Sequence, residues 1–285
     1  MGGTMPSTSA IFQGPSDDPA EVLASCCVDE AHVEVKWQNQ LLTYPPEMEK
    51  AAADYWHRLC AEVRPRAHLF DGPLCALRDF HCQGDRLILS LARTSYRYAL
   101  FANDRRQEIV RRWGSAHVPT VLGVSAVVTA SDGVLPLGRR SDQVGEFPGM
   151  LDVFGGHIDP EADLRDGVPD PCTAIRHELG EELDLRPEEV TSLRCIGLTR
   201  SRCNQKPELI FACRVPLDFG SLVDQARRAR GAGEFVTFLQ VADQGATLGD
   251  FLKTHRAALT PSAYGSLWLY GAHRGFWHPE GGKTS

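Results

Sequence analysis

The sequence predicts a mixed α/β fold of the α+β kind: a mixed β-sheet sandwiched between helices, preceded by an N-terminal α+β extension. Three observations carry this. Candidate strands lie on both sides of one strong helix in the second half, a pattern that puts helices on the faces of a mixed sheet. The chain changes character near Val118, where charged amphipathic segments give way to an apolar, β-branched run. The 285 residues are 42% hydrophobic and 24% charged, an ordinary globular balance that supports a substantial core.

In order, residues 1–25 hold MGGTMPSTSAIFQGPSDDPA, whose Gly, Ser, Thr and Pro content predicts a flexible tail. This stretch lacks a basic n-region and an apolar h-region, so it does not read as a secretory signal. Residues 26–116 form the expected extension. Within it Met48, Ala52, Tyr55, Leu59 and Val63 recur at three- and four-residue steps, predicting a helix over 46–63 with Pro46 in its first turn. RLILSLAR (Arg86 to Arg93) reads as a strand and DRRQEIVRRW (Asp104 to Trp113) as a short helix.

Residues 117–285 form the expected catalytic domain. It begins with a predicted hairpin, TVLGVSAVVTA and VLPLGRR joined by Ser131-Asp132-Gly133. The helix CTAIRHELGEELDL (Cys172 to Leu185) follows, then strands over 192–200 and 208–215 joined by SRCNQKP. A basic helix over 222–230, a strand over 235–241 and a last helix over 261–272 complete the reading.

Composition excludes several classes of function. The formal net charge is −7 with no basic face, which argues against a nucleic-acid partner. No run approaches 18 apolar residues, so no membrane span is expected. The nine cysteines are odd in number and form no CxxC pair, so they read as reduced thiols in a reducing compartment, the cytoplasm. The histidines lack zinc spacing.

The acidic helix is the main chemical signal. Glu178, Glu181 and Glu182 fall at i, i+3 and i+4 and are neighbours on a helix surface, where like charges repel by a few tenths of a kcal/mol. A divalent cation reverses the sign of that interaction, and hard oxygen ligands suit Mg²⁺ or Mn²⁺, which also bind phosphates. The alternative is a solvated acidic face. What sets this helix apart is the pair Gly155-Gly156 after an apolar stretch, with a loop leading from it into the helix.

These residues resemble the Nudix hydrolases, whose signature is G-x5-E-x7-R-E-U-x-E-E-x-G-U with U aliphatic. Glu178 to Leu185 matches E-U-x-E-E-x-G-U except that Asp184 replaces the glycine, and Gly156 matches the opening glycine. His177 occupies the arginine position, with Arg176 one residue earlier. Ala162 stands at the first glutamate, flanked by Glu161 and Asp163, and the loop is longer by about seven residues. TSYR (Thr94 to Arg97), RRSDQVGEFPGMLDVFGGH (Arg139 to His157) and PSAYGSLWLY (Pro261 to Tyr270) together are similar to the UDP-glucose and UDP-galactose hydrolase branch.

The resemblance implies a Nudix fold and a pyrophosphohydrolase that converts a nucleotide-sugar, a small-molecule partner, to UMP and a sugar 1-phosphate. It implies Mg²⁺, with Mn²⁺ as an alternative. Glu178 and Glu182 correspond to metal ligands and Glu181 to a further ligand, with a backbone carbonyl at Gly155 or Gly156 completing the shell. The catalytic set is Glu178, Glu182 and Glu234. The base is either Glu178, acting through bound water, or Glu234 in GAGEF. Arg93, Arg97, Arg139 and Arg140 are phosphate candidates because a guanidinium fork holds two oxygens. Tyr96 is a stacking candidate, His157 a diphosphate contact, and His177 a residue that packs against the loop. The other readings are another Nudix substrate, such as ADP-ribose or a dinucleotide, and a non-catalytic nucleotide-sugar-binding module. Oligomeric state is left open.

Overall fold

The computed structural model describes residues 17–62 and 70–278. The chain opens with strands β1 (Ala20–Asp29) and β2 (Val33–Leu41), then helix α1 (Pro46–Glu62). Strands β3 (Pro73–Gln83) and β4 (Arg86–Ser95) pair antiparallel and lead into α2 (Tyr96–Trp113). The second half runs β5 (Gly123–Thr129), β6 (Val134–Arg140), β7 (Leu151–Asp152), β8 (Phe154–His157), β9 (Leu164–Arg165), β10 (Val168–Pro169) and α3 (Pro171–Leu183). It ends with β11 (Ser192–Ser201), β12 (Pro207–Arg214), α4 (Phe219–Ala226), β13 (Phe235–Ala242), α5 (Gly245–His255) and α6 (Pro261–His273).

The main sheet has the order β1-β11-β12-β5-β8 and is mixed, since β12 and β5 run parallel and the other neighbours antiparallel. One face packs on α3 through Phe154, Ile175, Leu179 and Phe211; the other packs on α6 through Val127, Ile210, Leu267 and Tyr270. The fold is thus the α+β sandwich expected, with helices on both faces of a mixed sheet. Smaller sheets, β13-β6-β7 and β2-β4-β3, flank it. Among the described residues no helix is long and apolar enough to cross a membrane.

Several expectations are corrected. The predicted hairpin divides: β5 joins the main sheet while β6 pairs with β13 and β7, and the 131–133 turn carries the chain from one sheet to the other. Each strand is apolar and pairs elsewhere, so adjacency in sequence does not set pairing. The predicted tail overlaps β1, since Ala20 to Ser25 pair with Ser201 to Gly197 of β11. A partner so distant in sequence leaves no local signal beyond the alternating burial of AEVLASCCVD. Residues 1–16 of that tail, and Val63 of the predicted first helix, lie outside the described residues.

Helix α2 starts eight residues before the predicted Asp104, but Arg105 has non-helical angles (φ −117°, ψ 19°). The kink at Arg105 sets the first stretch of α2 apart from the predicted one. Beyond Ala226 the predicted basic helix gives way to turns. Helix α5 lies outside the predicted elements, although Leu248, Phe251 and Leu252 form an apolar stripe that packs into the core.

Candidate active site

Helix α3 begins where the sequence provides a stop and a start. Asp170 caps it, accepting hydrogen bonds from the Thr173 N–H at 3.0 Å and hydroxyl at 2.8 Å, and Pro171 sits at the first helical position. Its apolar side, Ala174, Ile175, Leu179 and Leu183, is buried against the sheet. This packing sends the three glutamates to different environments.

Glu182 is 3% exposed, and its Oε2 accepts the Gly155 N–H at 2.9 Å. Glu178 lies one turn back, and its Oε1 accepts the His157 N–H at 3.2 Å. Two alternate backbone donors of β8 therefore hold two carboxylates of α3. Glu181 turns outward, with a side chain 52% exposed and ion-paired to Arg230 at 3.0 Å.

The glycine pair is explained by the same contact. Gly155 has φ +155°, and a Cβ there would lie 2.1 Å from the Val124 carbonyl oxygen. A Cβ on Gly156 would lie 2.0 Å from Glu178 Oε1. Only hydrogens let β8 approach both β5 and the carboxylates.

Desolvation pushes Glu178 up to about 7, helped by repulsion from Glu234, Glu181 and Asp163. Burial holds Glu182 well above the carboxylate range, with Glu234 and Glu178 adding to the shift. Glu234 is raised by burial and by Glu181, against the pull of Arg140. These are carboxylates crowded together with too little compensating charge.

Glu178 and Glu234 open onto a cavity of about 400 Å³ that Gly155, Gly156, His157, Tyr96 and Arg140 also line. Burial and the Lys206 ammonium hold the His157 imidazole well below its ordinary range, so it is neutral. Its ring meets Tyr96 edge-on, 6.5 Å between centroids. Arg140 forms a nearly buried pair with Asp152 at 3.2 Å, and Thr260 donates to Asp152 at 2.6 Å. Burial, partly offset by Arg140, brings Asp152 up to about 6.

The remaining arginines are engaged elsewhere. Arg139 donates to the Gly149 carbonyl at 2.8 Å, Arg97 pairs with Asp71 at 3.5 Å, and Arg93 pairs with Glu161.

Sequence reading missed the far wall. Lys206 lies between Glu208 at 3.7 Å and Glu146 at 3.8 Å. Ser125 donates to Glu208 at 2.6 Å and meets Ser262 at 2.8 Å. Burial pulls Lys206 down, but Glu208, Glu146 and Asp152 outweigh it and its pKa is raised. The available signal was the acidic and basic pair flanking Pro207 at the head of an apolar strand, in a loop read only as a connection.

No family model matches the chain. The uridine diphosphate glucose pyrophosphatase NUDT22 of Mus musculus is 28% identical over 266 residues, covering 80% of this chain and 81% of that protein. Nudix hydrolase 9 of Arabidopsis thaliana is 30% identical over 112 residues, 33% of this chain and 36% of that protein. Among solved structures, a MutT protein from Methanosarcina mazei aligns with a TM-score of 0.36 at 14% identity, covering 54% of this chain and 94% of its own. The chain is thus similar, over four fifths of its length, to a protein named as a uridine diphosphate glucose pyrophosphatase and, over a third, to one named as a Nudix hydrolase.

The irregular Nudix box now has a physical reading. His177 stands at the arginine position, and its Nδ1 lies 2.5 Å from Asp163, a buried carboxylate one residue past the usual glutamate. Asp163 also accepts the Asp159 N–H at 2.8 Å, so it closes the loop and ties it to α3. Arg176 reaches Glu30, in the turn between β1 and β2, at 2.6 Å instead. Asp184, where the box has glycine, sits in the left-handed region at φ 54°, a conformation Asp tolerates better than most residues.

Proposed function

We propose that this chain hydrolyses the diphosphate of a UDP-sugar, UDP-glucose or UDP-galactose, to UMP and a sugar 1-phosphate, with Mg²⁺ or Mn²⁺. The observation that carries the reading is the pair Glu178 and Glu182, held by β8 beside a cavity that also contains Arg140 and Lys206. The substrate class comes from the mouse relative, similar over 80% of the chain.

A cation fits this donor set. Glu178, Glu182 and Glu234 repel one another in a partly desolvated setting, and a hard divalent ion removes that repulsion. Among the described residues no three acidic, His or Cys side chains stand close enough to hold an ion by themselves. Glu178 and Glu182 would hold it together with the Gly155 carbonyl, waters and a substrate phosphate, in keeping with the few protein ligands Mg²⁺ usually takes. When bound, the ion neutralises phosphate oxygens and acidifies water.

The chain's own groups do the rest. Arg140 and Lys206 bind diphosphate oxygens, and neutral His157 orients the chain of phosphates beside Tyr96. Glu234, facing the cavity without a β8 tether, takes the proton of the attacking water. The water oxygen bonds to phosphorus as the bridging P–O bond breaks, and its electrons leave on the departing phosphate.

The test is incubation with UDP-glucose and Mg²⁺ and resolution of the products. UMP and glucose 1-phosphate are expected; no UMP above a Glu182→Gln control would leave only a binding module. Lys206→Met is expected to raise KM by about tenfold or more, the scale of a lost charge-assisted hydrogen bond. An unchanged KM would remove Lys206 from the substrate.

A further inference from the structure

The main sheet carries a second cavity, at the opposite ends of the elements that build the first. β5 leads from Ser125 to Thr129, β12 from Glu208 to Arg214, and α6 from Ser262 to His273; in each case the first residue lines the active cavity and the second lines a cavity of about 210 Å³. Arg214 lies six steps along the strand from Glu208, so the two are roughly 20 Å apart. They share the sheet face that α6 covers.

The second cavity is lined by Arg194, Arg214, Arg274 and His273, with Ser192, Thr129 and Tyr270 as hydroxyl groups. Three guanidiniums converge there on a chain whose net charge is −7. Arg194 pairs with Asp29 at 3.0 Å and Arg274 with Asp243 at 3.0 Å. Arg214 has no acidic partner among the described residues, although register places it beside Ser192 and Thr129. The C-terminal end of α6 offsets roughly half a charge. Two carboxylates and a helix end against three guanidiniums leave the cavity cationic, and among the described residues the Arg214 guanidinium donates to no acceptor.

We propose that this cavity binds a phosphate dianion, either free inorganic phosphate or the terminal phosphate of a nucleotide. Arg214 supplies the two-pronged contact, and Arg194 and Arg274 supply their remaining N–H donors. The planar fork of a guanidinium matches two oxygens of one phosphate, a geometry that chloride cannot use. Nothing here depends on hydrolysis of UDP-sugars, because no residue of this cavity lines the active one.

His273 is a built-in reporter. Partial burial and the charges of Arg194, Arg274 and Arg214 hold its imidazole below the usual range. A bound dianion reverses that field. The experiment follows the His273 ring resonance by NMR, identified through His273→Gln, while inorganic phosphate is added at constant ionic strength made up with chloride. A saturable shift at millimolar phosphate and an upward move of the His273 titration midpoint are expected. Arg214→Gln should weaken the effect about tenfold or more while leaving phosphate-free activity unchanged. Arg194→Gln provides an independent second reading. A parallel titration with UMP distinguishes the nucleotide source, by binding more tightly at His273 than inorganic phosphate does. No saturable shift with either probe, or a response unchanged from wild type in both arginine variants, overturns the assignment.

Discussion

Glu182→Gln is expected to leave the protein folded and to lower UDP-glucose hydrolysis about a hundredfold or more, the scale at which one preorganised charge-stabilising group acts. Glutamine keeps the carbonyl oxygen that accepts the Gly155 N–H, so β8 and α3 stay joined. It cannot carry the negative charge that the proposed cation would require. Stability should separate from activity in a pH-dependent way. A carboxyl whose folded pKa is raised binds its proton more tightly in the native state than in the unfolded chain. Its stabilising effect is complete below the unfolded value and is lost as pH rises through the folded one.

For Glu178 that window runs from the ordinary 4.5 to about 7, worth about 3 kcal/mol without divalent ions. Glu182 adds a loss that continues to higher pH, since burial holds it well above 4.5. Melting with a chelator at about pH 5 and about pH 8 checks this. The wild type should lose more Tm across the interval than Glu182→Gln. Equal losses would mean that Glu182 does not carry the strain assigned to it, and undiminished hydrolysis by the variant would remove it from the site.

Gly155→Ala and Gly156→Ala should fail in different ways. At Gly155 a methyl meets rigid backbone, the Val124 carbonyl at 2.1 Å, on a residue already at φ +155°. β8 has to move off β5, and the loss of stability is expected to exceed about 3 kcal/mol. At Gly156 the obstacle is Glu178 Oε1 at 2.0 Å, the end of a side chain that can swing away. The fold should largely survive while the carboxylate leaves its place and turnover falls by about 10²-fold or more. Urea unfolding alongside steady-state kinetics separates the two. If Gly155→Ala costs less than Gly156→Ala in stability, the close approach of β8 to β5 is not what the glycine serves.

The acidic helix was legible because its signals are local, an apolar stripe and three carboxylates at helical spacing, while the Asp170 cap and Pro171 that start it came from the structure. The glycine pair was legible as a signal, but its reason, two clashes involving β5 and α3, was not. Sequence placed Glu181 with its neighbours, whereas packing turned it outward to Arg230. Arg139 and Arg140 are adjacent, so strand alternation sends them to opposite sides, and only tertiary contacts show that Arg140 faces the cavity.

What the sequence determined by itself is therefore the α+β class, the spans of the strongest elements and the chemistry of one helix turn, because these follow from periodicity and capping within a few residues. What the tertiary structure decided is pairing and environment: β1 on β11, β5 and β6 in separate sheets, and Lys206 between Glu146 and Glu208. Those outcomes depend on contacts between residues far apart in the chain, where burial sets both the charge a group keeps and the partner it meets.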